Sequence, residues 1–232
     1  MKLLLLLAIT SISSYAQPLP SEARLQQQIH KYEQLVADNP RDIEFWHELA
    51  VAYREAEMWD KAINADSEAI KRHPKYAAAF YSRGKARVGK QEYLASLVDF
   101  TEAIRLFELR GGIDLYLTLE QPPDSYIDSY RTRGVALSHL GRYNEAVTDL
   151  GTALKLRKED ATLLFEKGYI EEKAGRKADA IADLHRAGMI YADAWGRKPA
   201  EDCATRLDAL GAHGEAAEIR RTAAPKTKSD LP

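Results

Sequence analysis

The sequence predicts an all-α protein made of stacked helical hairpins. Three observations lead to this fold class: a repeat of 34 residues, small residues that recur in phase with it, and apolar residues spaced three and four apart. No stretch keeps the alternation of a strand. A content of 45% hydrophobic and 29% charged residues excludes a largely disordered chain. We therefore expect a string of helix pairs rather than one thick core.

Residues 1–16 have the layout of a secretory signal peptide. Lys2 supplies a positive charge, residues 3–12 are an apolar run, and the small residues Ser14 and Ala16 precede a cut before Gln17. The run is shorter than the roughly 20 residues that cross a bilayer. A buried first helix or an uncleaved anchor is the alternative. We expect a periplasmic or secreted mature protein with no integral membrane segment.

Four segments of the chain align without internal gaps: 43–76, 77–110, 127–160 and 161–191. Their eighth, twentieth and twenty-seventh positions hold only small residues. Two packed helices approach closely only where side chains are minimal, so these positions mark the helix crossings. Large residues, beginning with Trp46 at the fourth position of the first unit, fill the space around them. The small positions with Ala or Gly are Ala50, Ala62, Ala69, Gly84, Ala103, Gly134, Ala146, Ala153, Gly168, Ala180 and Ala187, and Ser96 completes the set.

This pattern resembles the tetratricopeptide repeat family. The resemblance implies hairpins stacked into a right-handed superhelix, an α-solenoid, whose first helices line a concave groove that binds peptides or partner segments. Three residues depart from the family pattern: Asp66 stands at a position that is usually large and apolar, and Glu108 and Lys158 replace a closing proline. We expect Asp66 to loosen the first contact between repeats. The matching residues of the first unit are Trp46, Leu49, Ala50, Tyr53, Ala62, Ala69 and Pro74.

The segments outside the repeats have separate predictions. Residues 17–42 are expected to form an N-terminal capping helix, and residues 192–222 a C-terminal helical cap or a degenerate repeat. Residues 223–232 are polar and are expected to be disordered. The 111–126 stretch is an inserted loop, bracketed by glycines and prolines, between repeats 1–2 and repeats 3–4. It either covers the groove or only widens the angle between repeats.

Opposite charges occupy the seventh and twenty-third positions of three units. In the first unit both positions are apolar, Leu49 and Ala65, so the pair changes together. This covariation within one chain favours structural ion pairs between the two helices of each hairpin. Basic residues of a binding site are the alternative. The pairs are Arg83 with Asp99, Arg133 with Asp149, and Lys167 with Asp183.

The inward positions of the first helices supply the candidate binding residues. Aromatic rings beside adaptable polar groups suit peptide recognition, although a merely solvated face is the alternative for each residue. The lysines and asparagines of the family's clamp for a C-terminal carboxylate are absent from their places. The groove candidates are His47, Arg54, Tyr81, Lys85, Arg131, His139, Phe165 and Tyr169.

The sequence offers little for catalysis, so we expect no enzyme, no cofactor and no metal site. The six histidines are scattered without metal-ligand spacing, and no nucleophile elbow or phosphate-binding glycine loop occurs. A net charge of −2 gives no signal for nucleic acid. The single cysteine, Cys203, excludes an intramolecular disulfide. It is expected to be buried and inert, or else free to pair with another chain.

Two classes of function follow from these observations. The first is a non-enzymatic scaffold or adaptor of the cell envelope or secreted space, which binds a peptide or partner protein in the groove. The second is a small-ligand or glycan-binding envelope protein that uses the groove aromatics Tyr81, Phe165 and Tyr169 as stacking surfaces. Self-association through an end of the array also stays open, and the sequence does not name the partner.

Overall fold

The computed structural model describes residues 21–109, 123–194 and 196–224. Within these ranges it contains eleven helices and no strand, which confirms the all-α prediction. The helices are α1 (Ser21–Asp38), α2 (Ile43–Glu55), α3 (Trp59–Arg72), α4 (Ala77–Gly89), α5 (Tyr93–Glu108), α6 (Asp124–His139), α7 (Tyr143–Leu156), α8 (Ala161–Lys173), α9 (Lys177–Asp193), α10 (Arg197–Ala209) and α11 (His213–Ala223).

Successive helices pair into hairpins, and the hairpins stack in chain order. Helix α2 packs on α3, α4 on α5, α6 on α7, α8 on α9, and α10 on α11, while each second helix also contacts the next first helix. The first helices α2, α4, α6 and α8 touch one another in succession, whereas α3, α5 and α7 are held apart by them. The four first helices therefore line the inner side of the array, and α1 covers its beginning.

The recurring small residues lie at the helix crossings and are fully buried. A Cβ added at Gly168 would meet the Leu184 side chain at 2.9 Å, and one at Gly84 would meet Phe100 at 2.6 Å. In the four aligned units, the eighth position is therefore glycine wherever the twenty-fourth holds a large apolar residue. In the first unit the pair is Ala50 with Asp66, because the smaller aspartate leaves room for a methyl group.

Each hairpin turns at the same position of its unit, in the left-handed backbone region. The residues there are Gly141, Gly175 and Gly211, with φ of 73°, 75° and 79°, and Glu57 and Gln91, with φ of 55° and 62°. Glycine adopts this conformation without the clash that other residues incur between Cβ and the backbone. The first two turns thus hold a strained residue where the other three hold glycine.

Helices α10 and α11 form a fifth hairpin. Ala204, Ala216 and Ala223 stand at the three small positions when the unit is counted from Arg197. This hairpin follows α9 after two additional residues, and α11 packs directly against α9, where a Cβ at Gly188 would meet Ile219. The C-terminal region therefore has the residue pattern of a repeat and closes the end of the array.

The insertion before the third repeat ends earlier than the sequence indicated. Helix α6 begins at Asp124, so residues 124–126 belong to its first turn rather than to a loop. Tyr126 is fully buried, with its ring centroid 5.5 Å from Phe107 and 5.4 Å from Tyr130. The rest of the insertion, the signal peptide at 1–16 and residues 225–232 lie outside the described residues. Ala223, assigned to the tail, is in α11.

Cys203 lies in the core between α9, α10 and α11 and is fully buried. Burial raises the pKa of its thiol to about 12, which disfavours the reactive thiolate. Of the helices that the structure describes, none is long and apolar enough to cross a membrane.

Candidate functional site

The inner faces of α2, α4, α6 and α8 form a groove, and all eight candidate residues lie on these helices. Three of them, His139, Phe165 and Tyr169, come together between α6 and α8 around a pocket of about 290 Å³. Tyr143, at the start of α7, adds another ring to the lining. The apolar and ring-bearing lining residues are Val135, His139, Tyr143, Phe165, Tyr169 and Ile170, and the remaining lining residues are Ser138, Glu166 and Lys173.

The rings around this pocket are held by contacts on their outer sides. His139 stacks on Tyr93 of α5, with ring centroids 4.4 Å apart and planes 4° from parallel. Arg206 of α10 lies 4.3 Å from the ring centroid of Tyr169 and 5.7 Å from that of Phe165. Such cation–π contacts orient the rings before a ligand arrives. The pocket is therefore preorganised.

A strip of paired polar side chains continues the groove from this pocket towards α4. Arg131 of α6 donates to both carboxylate oxygens of Glu166 on α8, from Nε to Oε2 over 2.8 Å and from Nη2 to Oε1 over 2.5 Å. These bonds raise the pKa of the guanidinium above its usual range. On α4, Lys85 donates to the hydroxyl of Tyr81 over 3.1 Å, and that hydroxyl donates to Asp128 over 2.9 Å. Arg131 and Tyr81 thus have partners within the protein.

His47 is half-buried, and its ring contacts other side chains of the protein. Its Nδ1 lies 3.1 Å from Oδ1 of Asp66, and its ring meets the edge of Tyr76 at 5.4 Å between centroids. Asp66 is fully buried, and its Oδ2 has no hydrogen-bond partner. Burial raises the pKa of this carboxyl to about 6, and the bond to His47 opposes that rise.

The predicted ion pairs join the two helices of each hairpin. Arg83 contacts Asp99 at 2.8 Å, Arg133 contacts Asp149 at 2.8 Å, and Lys167 contacts Asp183. None of these six side chains lines the pocket between α6 and α8. The pairs therefore connect helices instead of contributing to the pocket.

The two arginines also reach the preceding unit. Arg83 donates to the hydroxyl of Ser67, and Arg133 donates to that of Thr101, over 3.0 and 3.2 Å. The equivalent position before Lys167 is Gly151, which has no side chain to accept a hydrogen bond. Lys167 therefore has no side chain in the preceding unit to which it could donate a hydrogen bond. Its ammonium instead contacts the carboxylate of Glu171 on its own helix.

No three histidine, cysteine, aspartate or glutamate side chains of residues 21–109, 123–194 and 196–224 come together as a metal site. What the arrangement supplies is an apolar pocket, ring faces and hydrogen-bonding groups along a continuous surface.

Sequence reasoning missed Tyr93, Tyr143, Glu166 and Arg206 as members of this surface. Tyr93 and Tyr143 belong to second helices, which were not searched for groove residues. Glu166 stands at an inward position of the fourth unit but was not chosen as a candidate, because its pairing with Arg131 depends on how the neighbouring hairpins are rotated on one another. Arg206 lies beyond the four aligned units and could be placed only after the fifth hairpin was recognised.

Together, the stacked hairpins define an α-solenoid with a groove along its inner face. Residues 131–188 match the model of the tetratricopeptide repeat family. A search of curated proteins found no match to the chain.

Three solved structures share the fold of this chain. MamA superposes with a TM-score of 0.60 at 17% identity, covering 72% of this chain and 88% of MamA. YrrB, described as a TPR protein with an unusual peptide-binding site, gives a TM-score of 0.59 at 17% identity, with 84% and 91% covered. The Cut9–Hcn1 assembly of the APC/C gives 0.61 at 16% identity, with 87% and 36% covered.

Proposed function

We propose that this protein is a non-enzymatic scaffold that binds a peptide or an extended segment of a partner protein in its groove. The observation that supports the proposal is the preorganised pocket between α6 and α8, to which Phe165, Tyr169 and His139 contribute. Tyr169 keeps 36% of its surface exposed although it is a large aromatic residue. A ring held in place and partly open to solvent provides contact area at low entropic cost.

The size of the pocket indicates what it accepts. A cavity of about 150 Å³ holds a benzene-sized group, so 290 Å³ is enough for one large apolar side chain with its backbone. Pockets for whole small ligands usually begin near about 300 Å³ and enclose most of the ligand. An apolar peptide side chain, such as leucine or phenylalanine, therefore fits this site better than a glycan.

The cellular location forms part of the same proposal. The signal-peptide layout of residues 1–16 supports export to the periplasm or the secreted space. Mass spectrometry of the protein purified from its native host tests this point. A mature chain that starts at Gln17 is the expected result, and a chain that retains Met1 or begins elsewhere contradicts it.

Binding is tested with pools of synthetic 12-residue peptides that each fix one residue type at one position. We expect the full chain to retain pools with Leu or Phe at a fixed position. Tyr169→Ala should weaken that binding about tenfold, because the ring that bounds the pocket is lost.

Leu94→Ala is the matched control, because Leu94 is 68% exposed on α5 and lies outside the groove. Its affinity should equal that of the wild type. If Tyr169→Ala bound the pools with the affinity of the wild type, the proposal that peptides bind in this pocket would be wrong. If the protein retained no peptide pool and bound a glycan saturably, the glycan-binding function would be supported instead of the scaffold function.

A further inference from the structure

The outer side of α5 carries an apolar ridge that is open to solvent. Leu94 and Val98 are 68% and 67% exposed, and their four-residue spacing places them on one face of the helix. Within the described ranges they are two of four exposed large apolar side chains, and Tyr169, another of the four, lines the groove pocket. Single exposed apolar residues are ordinary, whereas a contiguous apolar patch marks an interaction surface.

A cavity of about 390 Å³ continues this ridge between α5 and α7. Its lining includes Leu97 of α5 and Leu137 of α6, with Thr101 of α5 on one wall and Thr148 of α7 on the other. Leu97 follows Leu94 by three residues and precedes Thr101 by four, so the ridge and the α5 wall form one stripe of the helix. The exposed side chains and the cavity therefore belong to a single surface.

The polar groups around the cavity already have partners within the chain. The hydroxyl of Thr148 donates to a backbone carbonyl of its own helix over 3.0 Å, and the hydroxyl of Thr101 accepts a hydrogen bond from Arg133 over 3.2 Å. The four charged residues of the lining form two ion pairs, at 2.8 and 2.6 Å: Arg133 with Asp149, and Arg142 with Glu145. A charged ligand would find no unpaired opposite charge here, so a neutral apolar surface fits the cavity best.

We infer that this outer face binds the same face of a second copy of the protein, with Leu94 and Val98 of each chain inserted into the cavity of the other. A twofold interface requires a surface that is complementary to itself. The ridge and the cavity lie side by side, so a half-turn brings each ridge opposite the cavity of the other chain. Because the charges of the lining are paired within each chain, the contact brings no unpaired like charges together.

The size of the cavity agrees with this occupant. A cavity of about 150 Å³ holds a benzene-sized group, and the side chains of Leu94 and Val98 together are only slightly larger than benzene. A cavity of about 390 Å³ therefore accepts both side chains together with part of the helical turn that carries them.

The proposed dimer leaves the groove open. Arg133 and Leu137 of α6 line the outer cavity, whereas Val135, Ser138 and His139 of the same helix line the groove pocket. Successive residues of a helix are about 100° apart, so these two sets face opposite sides of α6. The two chains are joined through their outer faces rather than through an end of the array, and the inference does not depend on what the groove binds.

Sedimentation velocity of the full chain, from micromolar to near-millimolar concentration, tests the dimer. We expect the sedimentation coefficient to rise with concentration towards that of two chains. Val98→Arg should raise the concentration at which half of the chains are paired about tenfold or more, because each dimer would bury two unpaired guanidinium groups. Leu109→Arg is the matched control, since Leu109 is equally exposed at the other end of α5 and the variant adds the same charge.

Thr148→Trp tests the cavity from its other wall. Thr148 is exposed, so the indole ring fills the cavity from outside the core, and circular dichroism verifies that each variant is folded. This variant should weaken association as Val98→Arg does, while Leu109→Arg should associate like the wild type. A wild type that stays monomeric over the whole range would overturn the inference. A dimer that Val98→Arg and Thr148→Trp leave unchanged, or that Leu109→Arg weakens equally, would overturn it as well.

Discussion

The buried carboxyl of Asp66 gives a stability prediction that can be worked out from the structure. Phe100, Leu150 and Leu184 fill the equivalent position of the other units, and all three are fully buried. Asp66 is also fully buried, with one oxygen at His47 and the other without a hydrogen-bond partner among the described residues. Its charged form is therefore disfavoured in the folded protein more than in the unfolded chain.

The magnitude follows from the two pKa values. Burial raises the pKa of Asp66 from an ordinary value of 3.8 to about 6 in the folded protein. Each pH unit between these values removes about 1.4 kcal/mol from the free energy of unfolding, because the unfolded chain has released the proton that the folded protein retains. This loss of unfolding free energy is absent below pH 3.8 and reaches about 3 kcal/mol above pH 6. About 2 kcal/mol of it develops between pH 4.5 and 7.5.

The perturbation is Asp66→Asn, which keeps the shape of the side chain and removes the titration. Urea unfolding of both proteins, followed by circular dichroism at pH 4.5, 5.5, 6.5 and 7.5, gives the difference in unfolding free energy at each pH. Titrating groups that do not contact Asp66 cancel in this difference, whereas the imidazole of His47, which does contact it, is coupled to this titration. We expect the wild type to lose about 2 kcal/mol relative to the variant across the series. Parallel profiles for the two proteins would refute the reasoning.

Further predictions concern the turns, the ion pairs and the thiol. Gly175→Ala should lower the free energy of unfolding by about 1 kcal/mol, because φ is 75° at this position. Gln91→Gly should raise it by about 0.5 kcal/mol, because glycine adopts the left-handed conformation without strain. Urea unfolding measures both changes, and changes of the opposite sign would contradict the turn geometry. Asp149→Ala should cost about 2 kcal/mol by leaving Arg133 half-buried and unpaired, while folded protein binds its peptide pools as before; unchanged thermal stability contradicts this. Cys203 should react with a thiol reagent only on unfolding, and rapid labelling of the folded protein contradicts its burial.

The fold could be predicted from the sequence because each repeat unit places small and large residues at the same positions and therefore packs in the same way. Small residues such as Ala146 and Gly168 mark helix crossings wherever they recur, and no long-range information is needed to recognise them. The end of the insertion was harder to predict. Its last three residues continue α6 because Tyr126 packs against Phe107 of α5, a tertiary contact that local pattern does not encode.

The candidate site was predictable only in part. Inward positions placed Phe165 and Tyr169 in the groove, but pairing between neighbouring units depends on how far each hairpin is rotated on the last. The pairing of Arg131 with Glu166 of the next unit is therefore established only by the three-dimensional structure, and so is the contact of His47 with Asp66 inside the first hairpin. For the same reason the sequence treated Arg54 like the other groove residues, although the structure gives it no ion pair among the described residues.

The central claim is that a ligand binds along the inner helices, and hydrogen exchange measures this most directly. A peptide retained from the pools is added to the full chain at saturation, and amide exchange is compared by mass spectrometry with and without it. The account predicts slower exchange in 131–139 of α6 and 161–173 of α8, which border the pocket, and no change in residues 97–108 of α5 and 147–156 of α7, which do not line it. Protection confined to α5 and α7, with the inner helices unchanged, would contradict it.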